Sequence, residues 1–387
     1  MVFKTYKMND MKGKQGMVCM GLLLVLSSCH TGKQITASGL QRKDFQTEVN
    51  GQHTDLFTLS NKQGMEVCIT NYGARVVSIL VPDRNGKRED VVCGFSTITE
   101  YMEQRQNFGS TVGRYIGRIL NARFTLDGVE YKLVPNNGKS GHISHGGNPG
   151  FADRIWKVEQ ADTHRACLSY LSPDGENGFP GNLKVTLVYS LGEDDNALDL
   201  TYEATTDAPT VLNLSHHSFF NISGNFTKSV EDQQLWVDAD RFTPYDDKKC
   251  VTGEYLPVAG TPLDFRMPHA IGECIDADHP QLKVVNGYDH TWELNTKGDD
   301  TRPAAWVYDP ASGRKMEIFT TEPGMQIYTG NGLKGKMTGK RGIAYPFRSA
   351  VCFETMHFQD SPNQPGFPST VLRPGEVFRS HTVYKFE

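Results

Sequence analysis

The sequence lacks any block of like charge: across 387 residues, 40 Lys and Arg stand against 45 Asp and Glu, for a formal net charge of -5. Without a basic patch nothing is available to neutralise a phosphate backbone, so nucleic acid is disfavoured and a small or neutral partner is expected. A long apolar run is missing too. The most apolar stretch, Met17 to Leu26, is about ten residues, half of the roughly twenty that a bilayer core requires. Cysteines at C-x-x-C spacing are absent, which disfavours zinc. Amphipathic helical periodicity is scarce, and Thr97 to Gln104 is the best candidate for a short helix.

What the N-terminus does hold is Lys4, Lys7, Lys12 and Lys14 ahead of the apolar stretch, then Ser27, Ser28 and Cys29. This reads as a signal peptide over 1–28. Leu26-Ser27-Ser28-Cys29 resembles a bacterial lipobox, which makes Cys29 the expected lipidation site; a simple cleaved signal is the alternative. His30 follows, not the aspartate that commonly retains lipoproteins at the inner membrane. The chain is therefore expected to be exported, periplasmic or anchored at the outer membrane. The polar residues 29–44 read as a tether unable to bury much. Cys68, Cys93, Cys167, Cys250, Cys274 and Cys352 are expected as free, mostly buried thiols, with disulfides the alternative in an oxidising compartment.

Period-two runs dominate the remainder: Met65 to Thr70, Leu183 to Tyr189, Leu198 to Glu203, Lys315 to Thr320 and Thr382 to Phe386. They read as half-buried strands. Asn85-Gly86 and Asp127-Gly128 supply tight-turn chemistry between them. Length alone allows one domain or two, but 38 glycines and 19 prolines spread through the body mark no linker. The expectation is an all-β fold, one large antiparallel sandwich over 45–387, whose loops carry polar groups to a concave face.

Six segments carry candidate chemistry. In Ala350 to Asn363 a carboxylate, Glu354, interrupts an apolar strand and faces either solvent or a site. In Val211 to Asn221, His216 and His217 are adjacent, so a strand there sends them to opposite faces and only one serves a given cavity. Gly141 to Trp156 is a glycine-rich turn presenting His145; it lacks the lysine and strand-to-helix context of a phosphate loop. Gly287 to Trp292 sets Asp289 among aromatics, as sugar sites do, or as an ordinary turn does. Arg114 and Arg118 lie four apart, a pattern a surface ion pair would equally produce. In Glu322 to Asn331, Gln326 alternates with apolar neighbours, as a buried hydrogen-bonder or a hydroxyl reader.

Taken in order along the chain, these segments resemble the aldose 1-epimerase (galactose mutarotase) family. The likeness rests on Gly-Arg-x-x-x-Arg-Ile from Gly113, His-Gly-Gly from His145, Asn-Leu-x-x-His from Asn213, Gly-Tyr-Asp-His from Gly287, Glu-Pro-Gly-x-Gln from Glu322 and Glu-Thr-x-His from Glu354, with Ser172 to Asn182 as a further family-like loop. The resemblance implies a large β-sandwich and a mutarotase acting on free aldoses such as galactose or glucose. It makes Glu354 the general base and His217 the general acid, with both charged near neutral pH. His145 would be a further donor near the ring, and Arg118, Asp289, Gln326 and Arg114 would bind substrate. No cofactor or metal is implied, and a monomer or weak dimer is expected. Three positions depart from the family pattern: Gly117 replaces a frequent asparagine, Phe219 a tyrosine and Gln359 a proline. Rival readings are a non-catalytic carbohydrate-binding lipoprotein, a hexose-phosphate epimerase using Arg114 and Arg118, and a glycoside hydrolase using Glu354 and Asp289.

Overall fold

Strands follow where side chains alternate. Along Leu183–Leu191 the residues Leu183, Val185, Leu187, Tyr189 and Leu191 are buried while their neighbours are partly or fully exposed, so one pleated face enters a core and the other meets solvent. The computed structural model describes residues 34–387; the expected signal peptide and Cys29 lie outside them. Among the described residues every paired strand is antiparallel, and three large sheets form.

The largest sheet has nine strands. Its centre runs Arg165–Ser172, Leu183–Leu191, Ala197–Thr206, Phe378–Phe386 and Lys315–Thr320. A six-stranded sheet packs against it, with Phe219–Phe220, Val351–Met356, Gly324–Tyr328, Asp289–Glu293, Arg241–Thr243 and Leu256–Pro257 in that order. Leu187, Leu200, Ile318 and Tyr384 of the first sheet share one core with Trp292, Met325, Ile327, Val351 and Phe353 of the second. Each such side chain, fully buried, contributes about 1.5–3 kcal/mol. Polar contacts also cross this layer: Tyr384 donates to the carbonyl of Phe353 at 3.1 Å, and the Thr355 and Thr382 hydroxyls meet at 2.7 Å.

A four-stranded sheet, Leu56–Ser60, Glu66–Thr70, Arg75–Pro82 and Arg88–Asp90, completes the framework. Its second strand is buried on both faces, not on one as its alternation suggests. The cause corrects the tether reading of 29–44 for its described part. Thr36, Ser38 and Leu40 are buried, and the backbone N–H groups of Ala37 and Ser38 donate to the Glu66 carboxylate at 3.0 and 3.1 Å. A carboxylate that finds backbone donors this way can be covered, which a composition-based reading of residues 34–44 does not reveal.

Local signals hold well. Asp127 and Gly128 both take positive φ and join Arg123–Leu126 to Val129–Lys132 in a tight hairpin. The helix Ile98–Gln104 opens on a capping box between Thr97 and Glu100. A second helix, Pro280–Val285, was not legible because one and a half turns are too short to show periodicity. None of the six described cysteines is bonded to another; Cys68, Cys93, Cys250 and Cys352 are buried, Cys167 and Cys274 half-buried. No helix of the described residues is long and apolar enough to cross a membrane.

Candidate active site

The pleat of the six-stranded sheet decides which side chains leave the core. On Val351–Met356 the odd residues Val351 and Phe353 enter the inter-sheet core, so Cys352, Glu354 and Met356 face the other way. On Gly324–Tyr328 the same alternation sends Met325 and Ile327 inward and turns Gln326 and Tyr328 outward. Register then aligns them: Thr291 pairs with Gln326 and Gln326 with Glu354, while Asp289 pairs with Tyr328 and Tyr328 with Cys352. From these two rows Asp289, Gln326, Tyr328 and Glu354 form the floor of a cleft of about 240 Å³.

His217 arrives from a separate short strand, Ser215–His217, paired with Ser110–Val112. The two adjacent histidines point apart. His216 turns toward Tyr189 and Tyr384, with Nε2 bonded to the Ser218 hydroxyl at 2.6 Å, and is a satisfied internal residue. His217 stacks on Phe219 with ring centroids 5.0 Å apart, and its Nε2 lies 3.2 Å from Glu354 Oε1. Its Nδ1 has no partner among the described residues, so Nε2 is the nitrogen that engages the cleft.

Both members of this pair are buried. Burial pushes the Glu354 carboxyl well above its ordinary range, and the nearby Asp289 charge adds to the effect. Burial likewise holds the His217 imidazole well below its ordinary range, helped by His145. Burial thus works against the charged form of each group, opposing the mutual attraction that the sequence reading relied on. The pair still holds one transferable proton, either as carboxylate and imidazolium or as carboxylic acid and imidazole.

Around the pair stand most of the other sequence candidates. The ring of His145 lies 5.5 Å from that of His217, centroid to centroid, and its Nδ1 accepts from the Gly117 N–H at 3.4 Å. Burial and the Arg118 charge lower its pKa to about 4, so it is neutral, with Nε2 carrying the proton and available as a donor. Gln326 Nε2 donates to Asp289 at 2.7 Å and its Oε1 accepts from Thr291. Arg118 lines the same cleft.

Arg114 does not. Its guanidinium is buried and donates to the carbonyls of Pro180 and Gly181 at 2.7 and 3.0 Å and to the Ser172 hydroxyl at 2.6 Å. The expectation that it binds substrate is corrected: its two terminal nitrogens hold the glycine-rich 172–182 loop. Among the described residues Arg118 is then the only lysine or arginine lining the cleft, too little for a phosphate clamp. The sequence reading missed Gln106, Asn107, Ser144, Tyr328 and Met356 as lining residues. Tyr328 and Met356 were findable, each two residues from a candidate on a strand. Gln106 and Asn107 were not: their loop is held by the buried Arg75, which donates to the carbonyls of Gln106 and Phe108 at 2.7 and 3.0 Å.

One trio of described residues, His217, Cys352 and Glu354, brings possible metal-ligating atoms within 4.8 Å of one another. Burial pushes the Cys352 thiol well above its ordinary range, and ligation requires the thiolate. The trio fits a close acid/base pair over an apolar thiol better than a metal centre.

The sequence profile described as Aldose 1-epimerase matches residues 55–385. Galactose mutarotase from Sus scrofa is 39% identical over 330 residues, 85% of this chain and 93% of its own length. Aldose 1-epimerase from Escherichia coli is 36% identical over 340 residues, 87% of this chain and 96% of its own. Among solved structures, an aldose epimerase homologue from C. elegans superposes with a TM-score of 0.79 at 30% identity, covering 86% of this chain and 99% of that one. Since the matched span contains every residue of the cleft, fold, site and sequence agree, and the chain belongs to the aldose 1-epimerase family.

Proposed function

We propose that the cleft interconverts the α and β anomers of a free aldose, with Glu354 and His217 carrying the protons. The observation that supports this most is the buried contact of 3.2 Å between His217 Nε2 and Glu354 Oε1 on the floor of a polar cleft.

Opening a cyclic hemiacetal removes the proton from O1 and adds one to the ring oxygen. With the pair as carboxylate and imidazolium, Glu354 takes the O1 proton and His217 supplies the ring-oxygen proton. The open-chain aldehyde is then accompanied by carboxylic acid and imidazole, the uncharged arrangement that burial favours. Rotation about the C1 to C2 bond and reversal of both transfers close the ring on the other face, and the starting state returns. Each transfer typically contributes about 10²- to 10⁴-fold. His145 acts as a neutral donor beside the ring, while Arg118, Asp289 and Gln326 bind hydroxyls. Galactose is the sugar in the names of the mammalian relatives and is the first aldose to try. Polarimetry of fresh α-galactose tests the activity: the wild-type protein accelerates equilibration, and binding without acceleration would favour the carbohydrate-binder reading.

Export and anchoring through Cys29 form the second part of the proposal, supported by the basic, apolar and small-residue order of 1–29. Metabolic labelling with palmitate tests it, with label expected on the wild-type protein and lost in Cys29→Ser; unlabelled wild-type protein would refute the anchor.

A further inference from the structure

Gly117 and Gln359 compete for one volume. Gly117 has φ +74°, and a Cβ there would lie 2.5 Å from Gln359 Cγ and 2.9 Å from Cδ. Any side chain at 117 therefore displaces the Gln359 amide, which lines the cleft and is only 5% exposed. That amide is held on several sides. Its Oε1 accepts from the backbone N–H of Arg118 at 3.2 Å, and its Nε2 donates to the Tyr245 hydroxyl at 2.7 Å and to Gln326 Oε1 at 3.3 Å.

The network fixes which way round the amide lies. Gln326 Oε1 is an acceptor, since its own Nε2 donates to Asp289, and the Arg118 N–H is a donor. A flipped Gln359 would set donor against donor at Arg118 and acceptor against acceptor at Gln326. One oriented series thus runs from the Arg118 N–H through Gln359 and Gln326 to the Asp289 carboxylate. Both Nε2 hydrogens are thus spent on Tyr245 and Gln326, so what this buried amide keeps for a ligand is the second lone pair of Oε1, held in one orientation at the cleft wall and costing little further ordering when a ligand arrives.

We propose that Gln359 is a specificity-determining residue, one that reads a single hydroxyl of the sugar away from the anomeric carbon. The placement follows from contact: Glu354 neighbours Gln326 across the sheet, and Gln326 touches Gln359, so a ring whose C1 sits over Glu354 extends toward the Gln359 amide. The absence of a side chain at 117 is what admits the amide. This inference rests on the aldose reading of the cleft and names a determinant of which aldose it accepts.

The test pairs enzyme variants with substrate variants. Rates with α-galactose and the set of its monodeoxy analogues are measured for wild type and for Gln359→Leu, similar in size but without the amide. The wild-type enzyme loses about tenfold in kcat/KM, mostly through KM, on one monodeoxy sugar, the share of a single neutral hydrogen bond. In Gln359→Leu that analogue and galactose react alike, while penalties at the other positions persist. A second variant guards against misfolding. Gly117→Asn, asparagine being tolerated at this φ, loses activity alone and recovers at least tenfold when combined with Gln359→Ala. Deoxy penalties unchanged by Gln359→Leu, or a Gly117→Asn defect that Gln359→Ala does not relieve, would overturn the inference. Failure of the wild-type enzyme to accelerate mutarotation would defeat the aldose reading itself, and this inference with it.

Discussion

Two histidine and carboxylate groupings in this molecule reach opposite electrical states. In the cleft, His217 meets Glu354 with both side chains buried, and burial drives both toward their uncharged forms. On the nine-stranded sheet's outer side, His381 lies between Asp199 and Asp300, each 2.6 Å from a ring nitrogen, and is about a third exposed. There the hydrogen bond to Asp199 leads, burial opposes it, and the bond to Asp300 adds, so the imidazolium persists up to about pH 9. His357, paired with Glu322 at 2.7 Å, is also shifted upward: burial opposes, but the Glu322 hydrogen bond and charge win. The lesson is that pairing alone does not set the charge. Imidazoles that keep some solvent contact and lie 2.6–2.7 Å from a carboxylate, His381 and His357, are shifted toward the cation, whereas the enclosed His217, 3.2 Å from Glu354, is shifted toward the neutral form.

The comparison can be broken hardest at the cleft. Glu354→Gln keeps the shape and removes the base, so polarimetric mutarotation falls by about 10²- to 10⁴-fold with the fold retained by circular dichroism. His381→Asn, removal of an ionisable group outside the cleft, leaves that rate near wild type. Next in size is His357→Leu, which leaves the buried Glu322 carboxylate without its cation and lowers unfolding stability by about 3 kcal/mol in urea titrations. An unchanged denaturation midpoint would show that the pair is dispensable.

The cleft pair also predicts a bell-shaped dependence of kcat/KM on pH. One limb marks loss of the shared proton and the other gain of a second, and both belong to the pair, not to either residue. The smallest effect is at His381. Its folded pKa of about 9 lies above the ordinary 6.5, so the folded state binds the proton more tightly than the unfolded chain. The stabilisation is complete below about pH 6.5 and disappears as pH rises through about 9. Urea midpoints for wild type minus those for His381→Asn should shrink over that window; a difference that grows with pH would reverse the assigned sign.

Legibility from sequence followed the range of the signal. Period-two alternation made the strands readable and marked Glu354 and Gln326 as polar positions within apolar strands, but which side they faced, and that Tyr328 joins them, came only from the register of the sheet. Adjacency separated His216 from His217 but could not say which faced the cleft. That depends on Ser215–His217 pairing with Ser110–Val112, about a hundred residues earlier. Arg114 was misread for a related reason: its partners are carbonyls of the 172–182 loop, and nothing near position 114 announces them. Residues 34–44 looked polar and unattached because the donors they offer Glu66 are backbone groups, which composition does not count.

The central claim is that Glu354 and His217 work as one proton-exchanging unit. Its most direct test is the rate of α-galactose mutarotation in Glu354→Gln, His217→Asn and the double variant. Acting as a unit, they lose nearly as much singly as together, and the double variant falls little further. Near-wild-type rates in either single variant, or losses that simply multiply in the double, would contradict it.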